Sequence, residues 1–156
     1  MKMKKQVCQA YMDTAANFAA CSTAKRLQVG AIVVDPSTGA IISVGYNGMP
    51  SGMSNVCEEK VDGVVRTKDA VLHAEENAIA KLSRSSSSSE GAWMFVTHSP
   101  CIKCARLIIA SGLARVFYRE QFNGQVGCGL DLLSKGGVKC IRVKTNVKRR
   151  KDEETK

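Results

Sequence analysis

The sequence predicts an α/β fold with helices on both faces of one mixed five-stranded sheet. Two β-rich, apolar runs flank a Pro/Gly turn near the N-terminus, which reads as a hairpin. Three later strand-like runs then alternate with helix-like ones. The order α-β-β-α-β-α-β-α-β therefore combines an antiparallel pair with parallel crossovers. At 156 residues this is one domain of ordinary size, long enough to bury a real core.

Residues 4–20 place Val7, Tyr11, Ala15 and Phe18 at helical spacing, the pattern of an amphipathic helix. A polar connection, 21–28, leads to the apolar run 29–34. Asp35-Pro36-Ser37-Thr38-Gly39 is a turn cluster, and 40–45 is the returning strand. Segment 46–69 is rich in Gly, Pro, Ser, Asn and charge. It reads as a long loop, and loops of that length are usually functional or disordered. From His73 to Leu82, the residues Ala74, Ala78, Ile79 and Leu82 mark the buried side of a helix, with His73 and Glu75 in its first turn. The serine run Ser85 to Ser89 reads as a flexible surface connection with no chemistry of its own. Residues 93–97 form a buried strand. Pro100 suits a helix start, and that helix runs to Gly112, a C-terminal stop. Strand 114–118, a Gly-rich stretch 123–129, a short helix 130–135 ended by Gly136-Gly137, and strand 138–143 complete the fold. Residues 1–145 form the domain, and 146–156 are a charged, frayed tail.

The net charge is +9, and the segment from Lys144 contributes six Lys/Arg against three Asp/Glu. A basic body suits an anionic ligand such as a phosphate, or nucleic acid; solubility alone is the competing reading. No run approaches the ~18 apolar residues of a membrane helix. The basic start Met1-Lys2-Met3-Lys4-Lys5 is followed by no apolar stretch or cleavage site, so it reads as mature and not as a signal peptide. The cysteines number seven. With no secretion signal they read as reduced, in a cytoplasmic protein. Five of them, Cys8, Cys21, Cys57, Cys128 and Cys140, are most simply small buried apolar groups. A second metal shared by Cys21 and Cys57 would lack a spare histidine.

Two runs carry the chemistry: His73-Ala74-Glu75 and Pro100-Cys101-Ile102-Lys103-Cys104. They supply one imidazole, two thiols and one carboxylate. Three protein ligands with an open fourth position is the pattern of a catalytic zinc site, whereas structural sites are closed. The i, i+3 spacing puts Cys101 and Cys104 on one face of a helix's first turn, where the helix N-terminus favours thiolates. Zinc there would let a bound water ionise near neutral pH. Glu75 is placed to take that proton and deliver it to a leaving amine. A structural zinc clip or a redox pair are the bland alternatives for Cys-x-x-Cys. The first would need a fourth ligand, and the only other histidine is His98, read here as a bystander.

The spacing His-x-Glu…Pro-Cys-x-x-Cys is that of the zinc deaminases acting on nucleobases. The sequence resembles the cytidine deaminase superfamily and, within it, the deoxycytidylate (dCMP) deaminases. The resemblance runs from about Tyr11 to Phe122 and rests on the 26–31, 45–52, 73–79 and 99–104 segments. The zinc motif names only the superfamily, while Gly45-Tyr46-Asn47-Gly48-Met49-Pro50-Ser51-Gly52 points to the dCMP branch. The resemblance implies a three-layer α/β/α sandwich, a single Zn2+ held by His73, Cys101 and Cys104, catalytic Glu75, and hydrolysis of dCMP to dUMP and ammonia that feeds thymidylate synthesis. It also implies a homo-oligomer, often a hexamer, activated by dCTP and inhibited by dTTP, with Mg2+ alongside a triphosphate effector. Effectors would bind near Gly45, Tyr46, Asn47, Gly48 and Pro50. Substrate would meet Ser22 and Arg26 at its 5′ phosphate, Asn47 at the deoxyribose and Glu58 at its 3′ hydroxyl, with Ser99 and Phe122 close by. Arg26 also suits phosphate on its own chemistry, since guanidinium offers planar, charge-assisted donors. Two departures stand out. Phe122 occupies a position that often holds Tyr, which keeps a stacking face and loses a hydroxyl. The 49–73 segment lacks the histidines that some relatives use for a second zinc.

Two other functions are weighed against this one. A nucleic-acid base deaminase of the tRNA adenosine type would use the basic tail as an anchor, but the chain is poor in aromatics for stacking bases. A non-catalytic nucleotide sensor would keep the zinc for structure, and the intact Glu75 weighs against it.

Overall fold

The computed structural model describes residues 3–123 and 127–144. The expected tail, 146–156, and part of the Gly-rich stretch lie outside them. The elements are α1 (Lys5–Ala19), β1 (Gly30–Val34), β2 (Ile41–Tyr46), β3 (Glu58–Val61), β4 (Val64–Thr67), α2 (Ala74–Leu82), β5 (Trp93–His98), α3 (Ile102–Ala110), β6 (Arg115–Glu120), α4 (Leu130–Lys135) and β7 (Lys139–Arg142). The nine expected elements are present in the expected order. The addition is a hairpin, β3–β4, inside the segment read as a loop. Its turn puts Asp62 and Gly63 at positive φ, as a tight two-residue hairpin turn requires. The strands around it are short and charged, so their period-2 signal is weak.

The main sheet has the order β2-β1-β5-β6-β7. Strand β1 pairs antiparallel with both β2 and β5, whereas β5-β6 and β6-β7 are parallel. The sheet is therefore mixed, as the hairpin-then-crossover order requires. Alternation along the strands sorts the core into two layers. Ala31, Val33, Met94, Val96 and Val116 face α2, α3 and α4, through Ala78, Leu82, Ile108 and Leu133. Ile32, Val34, Phe95 and Phe117 face α1 through Met12 and Ala15. Phe95 and Phe117 stack at 4.4 Å between ring centroids. This is a three-layer α/β/α sandwich. On α1 the buried stripe runs through Met12, Ala15 and Ala19, so Val7 is exposed and Tyr11 and Phe18 only half-buried.

Two glycines set how closely helices approach the sheet. A Cβ on Gly30 would collide with the Ala15 carbonyl oxygen and lie 2.5 Å from the Ala19 nitrogen on α1. A Cβ on Gly45 would collide with the Ala74 carbonyl oxygen and lie 2.6 Å from the Ala78 nitrogen on α2. The second contact matters for chemistry, because α2 carries the first motif. Ser43 adds to it by donating from Oγ to the Ala78 carbonyl at 2.7 Å.

The serine run is exposed, as expected, but it is held in place. Ser85 Oγ donates to the Leu82 carbonyl at 3.0 Å and Ser89 Oγ to the Ser111 carbonyl at 2.6 Å. Small hydroxyls here bond nearby backbone and do not leave a free linker. Of the five cysteines outside the motif, only Cys57 is buried. Cys21 is exposed, and Cys8, Cys128 and Cys140 are intermediate. Among the described residues no helix is long and apolar enough to cross a membrane.

Candidate active site

The two motifs meet at the N-termini of α2 and α3. His73 is the N-cap of α2, with φ −70° and ψ 159°, one position outside the expected first turn. Its backbone N–H donates to Glu76 Oε2 at 2.7 Å, half of a capping box. That residue went unassigned in the sequence, although its place three positions after the cap was a readable signal. Cys101 is likewise the N-cap of α3, with φ −73° and ψ 171°, and Cys104 lies within the helix. Pro100 accordingly precedes the cap instead of opening the helix. Cys101 forms an antiparallel bridge with Cys128, and Gly129 N–H donates to the Pro100 carbonyl at 2.7 Å. Nothing in the sequence pattern marked those two partners.

His73 Nδ1 lies 3.5 Å from Cys101 Sγ and 3.3 Å from Cys104 Sγ. The three ligand atoms all fall within 4.8 Å of one another. A tetrahedral zinc with ordinary Zn–N and Zn–S bonds needs N···S edges of about 3.5 Å, so the triangle fits that ion. One face of the tetrahedron is protein, and no fourth His, Cys, Asp or Glu joins the cluster among the described residues. His98 stays outside, half-buried, with Nδ1 3.1 Å from Thr97 Oγ1. Burial pushes its imidazole below the usual histidine range.

The electrostatics of the triangle suit a cation. Hydrogen bonding from Cys104 holds the Cys101 thiol down at about 4. Hydrogen bonding to Cys101 pulls His73 up to about 9, against the opposing effect of burial. The Cys104 thiol is driven up, because its proton is shared with Cys101 and the group is buried. Glu75, at 4% exposure, has its carboxyl pushed up to about 7 by burial. A carboxyl near neutrality can both accept and give a proton at working pH.

The structure commits many polar atoms of the remaining expected residues. Ser22 is buried. Its Oγ donates to the Asn47 carbonyl at 2.7 Å and accepts from Ala24 N–H at 3.2 Å, so its hydroxyl proton is engaged. Asn47 Oδ1 accepts from Val29 N–H at 2.8 Å, and its Nδ2 donates to the Leu27 carbonyl at 2.7 Å. That leaves one N–H and one lone pair for a ligand. Ser99 Oγ accepts from Phe122 N–H at 2.7 Å, joining those two residues. Arg26 is exposed. Glu58 Oε1 accepts from the backbone N–H of Lys25 and Arg26. Of the residues expected at an effector, Gly45 is sealed under α2. Gly48 pairs through its backbone with Leu72, which ties this loop to the residue preceding His73. Tyr46 and Pro50 are half-buried, with Lys81 Nζ 5.6 Å from the Tyr46 ring centroid.

The family model for the cytidine and deoxycytidylate deaminase zinc-binding region matches residues 5–120. The chain belongs to this family. The His73, Cys101 and Cys104 triangle offers the donors for the zinc that the family's name describes, and the fold is the family's. A crystal structure of the dCMP deaminase from cyanophage S-TIM5, in complex with dCMP and dUMP, superposes with a TM-score of 0.82 at 42% identity. The match covers 90% of this chain and 99% of that one. Deoxycytidylate deaminase of enterobacteria phage T4 is 30% identical over 154 residues, covering 74% of this chain and 79% of its own. ComE operon protein 2 of Bacillus subtilis is 38% identical over 105 residues, or 65% of this chain. The match spans only 52% of that relative's length.

Proposed function

We infer that the chain hydrolyses dCMP to dUMP and ammonia, supplying the uracil nucleotide for thymidylate synthesis. The carrying observation is the His73–Cys101–Cys104 triangle beside buried Glu75, in a chain that matches a dCMP-bound relative over nearly all its length. When bound, zinc supplies a Lewis acid that makes water a nucleophile at neutral pH. The other work falls to the protein. Glu75 accepts the proton lost by the attacking water and passes it to the departing nitrogen. Water adds at C4 of the ring, the C4–N bond breaks, and ammonia leaves. Backbone at 97–100 borders the base, and Phe122 offers a stacking face. Arg26 meets the 5′ phosphate with charge-assisted donors. Asn47 keeps one N–H for the sugar.

The test is ammonia release from dCMP by zinc-loaded protein, compared with Glu75→Ala. The parent turns over dCMP, and Glu75→Ala loses at least about 10³-fold in kcat while keeping its zinc. A zinc-loaded parent that leaves dCMP untouched refutes the reading. The same reading extends to a homo-oligomer, hexameric, with dCTP plus Mg2+ activating and dTTP inhibiting. Rates that ignore both nucleotides, or a monomer by light scattering, remove that extension.

A further inference from the structure

Residues 22–29 have one small apolar anchor, Ala24 packed with Cys57 and Val71. Lys25, Arg26, Leu27 and Gln28 are all exposed, and the stretch forms no regular element before β1. Polar bonds to two distant segments complete the hold, among them Thr23 Oγ1 donating to the Asn55 carbonyl at 2.8 Å. Asn47 grips Val29 and Leu27 from the end of β2, and Ser22 Oγ returns the contact to the Asn47 carbonyl. Gln28 Nε2 closes the loop on itself by donating to the Ser22 carbonyl at 2.9 Å. On the other side stands the hairpin that the sequence did not reveal. Glu58, the first residue of β3, aims one carboxylate oxygen at two successive backbone amides. Oε1 accepts from Lys25 N–H at 2.7 Å and from Arg26 N–H at 3.3 Å.

A carboxylate accepting two adjacent N–H groups makes charge-assisted bonds, roughly twice as strong as neutral ones. It fixes the backbone at Lys25–Arg26 and leaves their side chains free. Among the described residues neither side chain enters an ion pair. Glu58 therefore does not neutralise Arg26. It orients the backbone that carries it.

We propose that Glu58 is a positioning residue that acts through Arg26, its Oε1 holding the 22–29 loop so that the guanidinium meets the substrate's 5′ phosphate. The proposal rests on the dCMP reading above. It gives Oε1 of Glu58 a role that the family resemblance, which sends Glu58 to the 3′ hydroxyl, does not assign. It gives the β3–β4 hairpin a purpose: the hairpin delivers a brace to a loop far from it in sequence.

The test is a double-mutant cycle on the zinc-loaded full chain. Glu58→Ala raises KM for dCMP by roughly tenfold with kcat within about twofold, a loss of binding and not of chemistry. Arg26→Ala raises KM at least as much. The double variant matches Arg26→Ala within about twofold, because a brace has no value once the braced side chain is gone. Glu58→Gln, whose amide oxygen still accepts both N–H groups, stays within about threefold of the parent. Losses that multiply in the double variant overturn the proposal, as does a Gln variant as poor as Ala. Amide hydrogen exchange on the unmutated chain supplies a second arm that needs neither variant nor turnover. The Lys25 and Arg26 amides exchange at least about tenfold slower than in an unstructured peptide. Unprotected amides refute the brace even if dCMP is turned over. Protected amides with no dCMP turnover sink the dCMP reading and the phosphate role together, and leave only the loop contact standing.

Discussion

The His73–Cys101–Cys104 triangle and the loops that the proposed function assigns to substrate are built by different means. His73 and Cys101 are helix N-caps, and Cys104 lies two residues into α3. All three hang from helices packed on a sheet whose strand β1 is buried throughout and whose central strand β5 is buried at all but its last residue. Backbone geometry and apolar packing place them, with no side chain reaching across solvent. The loops 22–29 and 46–69 differ. They share one small apolar cluster, Ala24 with Cys57 and Met49, and otherwise depend on single hydrogen bonds made by Ser22, Thr23, Asn47 and Glu58. The metal-ligand triangle thus rests on packing, whereas the loops that the proposed function assigns to substrate rest mainly on individual polar contacts.

The largest effect belongs to the metal end. Cys104→Ala removes one of three ligands from a site with no spare among the described residues. Zinc content falls to background and dCMP turnover drops by more than about 10³-fold. The far-ultraviolet circular dichroism stays native, because both hydrophobic clusters are assembled without the ligands. A variant that keeps zinc, or one that unfolds, breaks the separation between platform and metal.

Two glycines of one motif sharpen the comparison next. Gly45 faces α2 with no room for a methyl group, whereas a Cβ on Gly48 meets nothing within 4 Å. Gly45→Ala must push α2 away, and with it His73 and Glu75. Misplacement on the scale of an ångström costs roughly 10²-fold in rate, and strain of this kind costs about 1–3 kcal/mol in stability. Gly48→Ala changes stability by about 0.5 kcal/mol or less. Urea melts with dCMP assays decide the matter, and equal effects at the two glycines would mean that α2 has slack to give.

How much of this was readable follows the same division. The alternation of strands and helices, and the residue types of both motifs, survive in sequence because buried strands must be apolar and zinc needs nitrogen and sulfur donors. The ligands' positions as caps were off by one residue, since pattern cannot separate a cap from a first turn. The β3–β4 hairpin escaped notice because its four-residue strands, Glu58–Val61 and Val64–Thr67, are mostly charged or exposed and lack a buried face to write an alternating pattern. Glu58 could be named from resemblance, but its partners Lys25 and Arg26 are backbone groups more than thirty positions away. Backbone acceptors and donors leave no mark in residue identity.

The smallest effect is at Glu59, next to Glu58 on β3. Successive side chains on a strand point to opposite faces. Glu58 therefore turns to the 22–29 loop, while Glu59 meets Arg66 across the hairpin at 2.9 Å, with both side chains well exposed. An exposed pair of this kind contributes about 0.2–1 kcal/mol at best and is screened by salt. Glu59→Ala should therefore leave the melting temperature nearly unchanged, and KM for dCMP within about twofold. The value lies in the contrast with Glu58→Ala, because the two substitutions remove the same charge from the same short strand, one residue apart. If both raised KM alike, general loss of negative charge or of hairpin stability would explain the result, and the bond to the Lys25 and Arg26 amides would not. If only Glu58→Ala does so, the effect follows the face of the strand, as a brace requires.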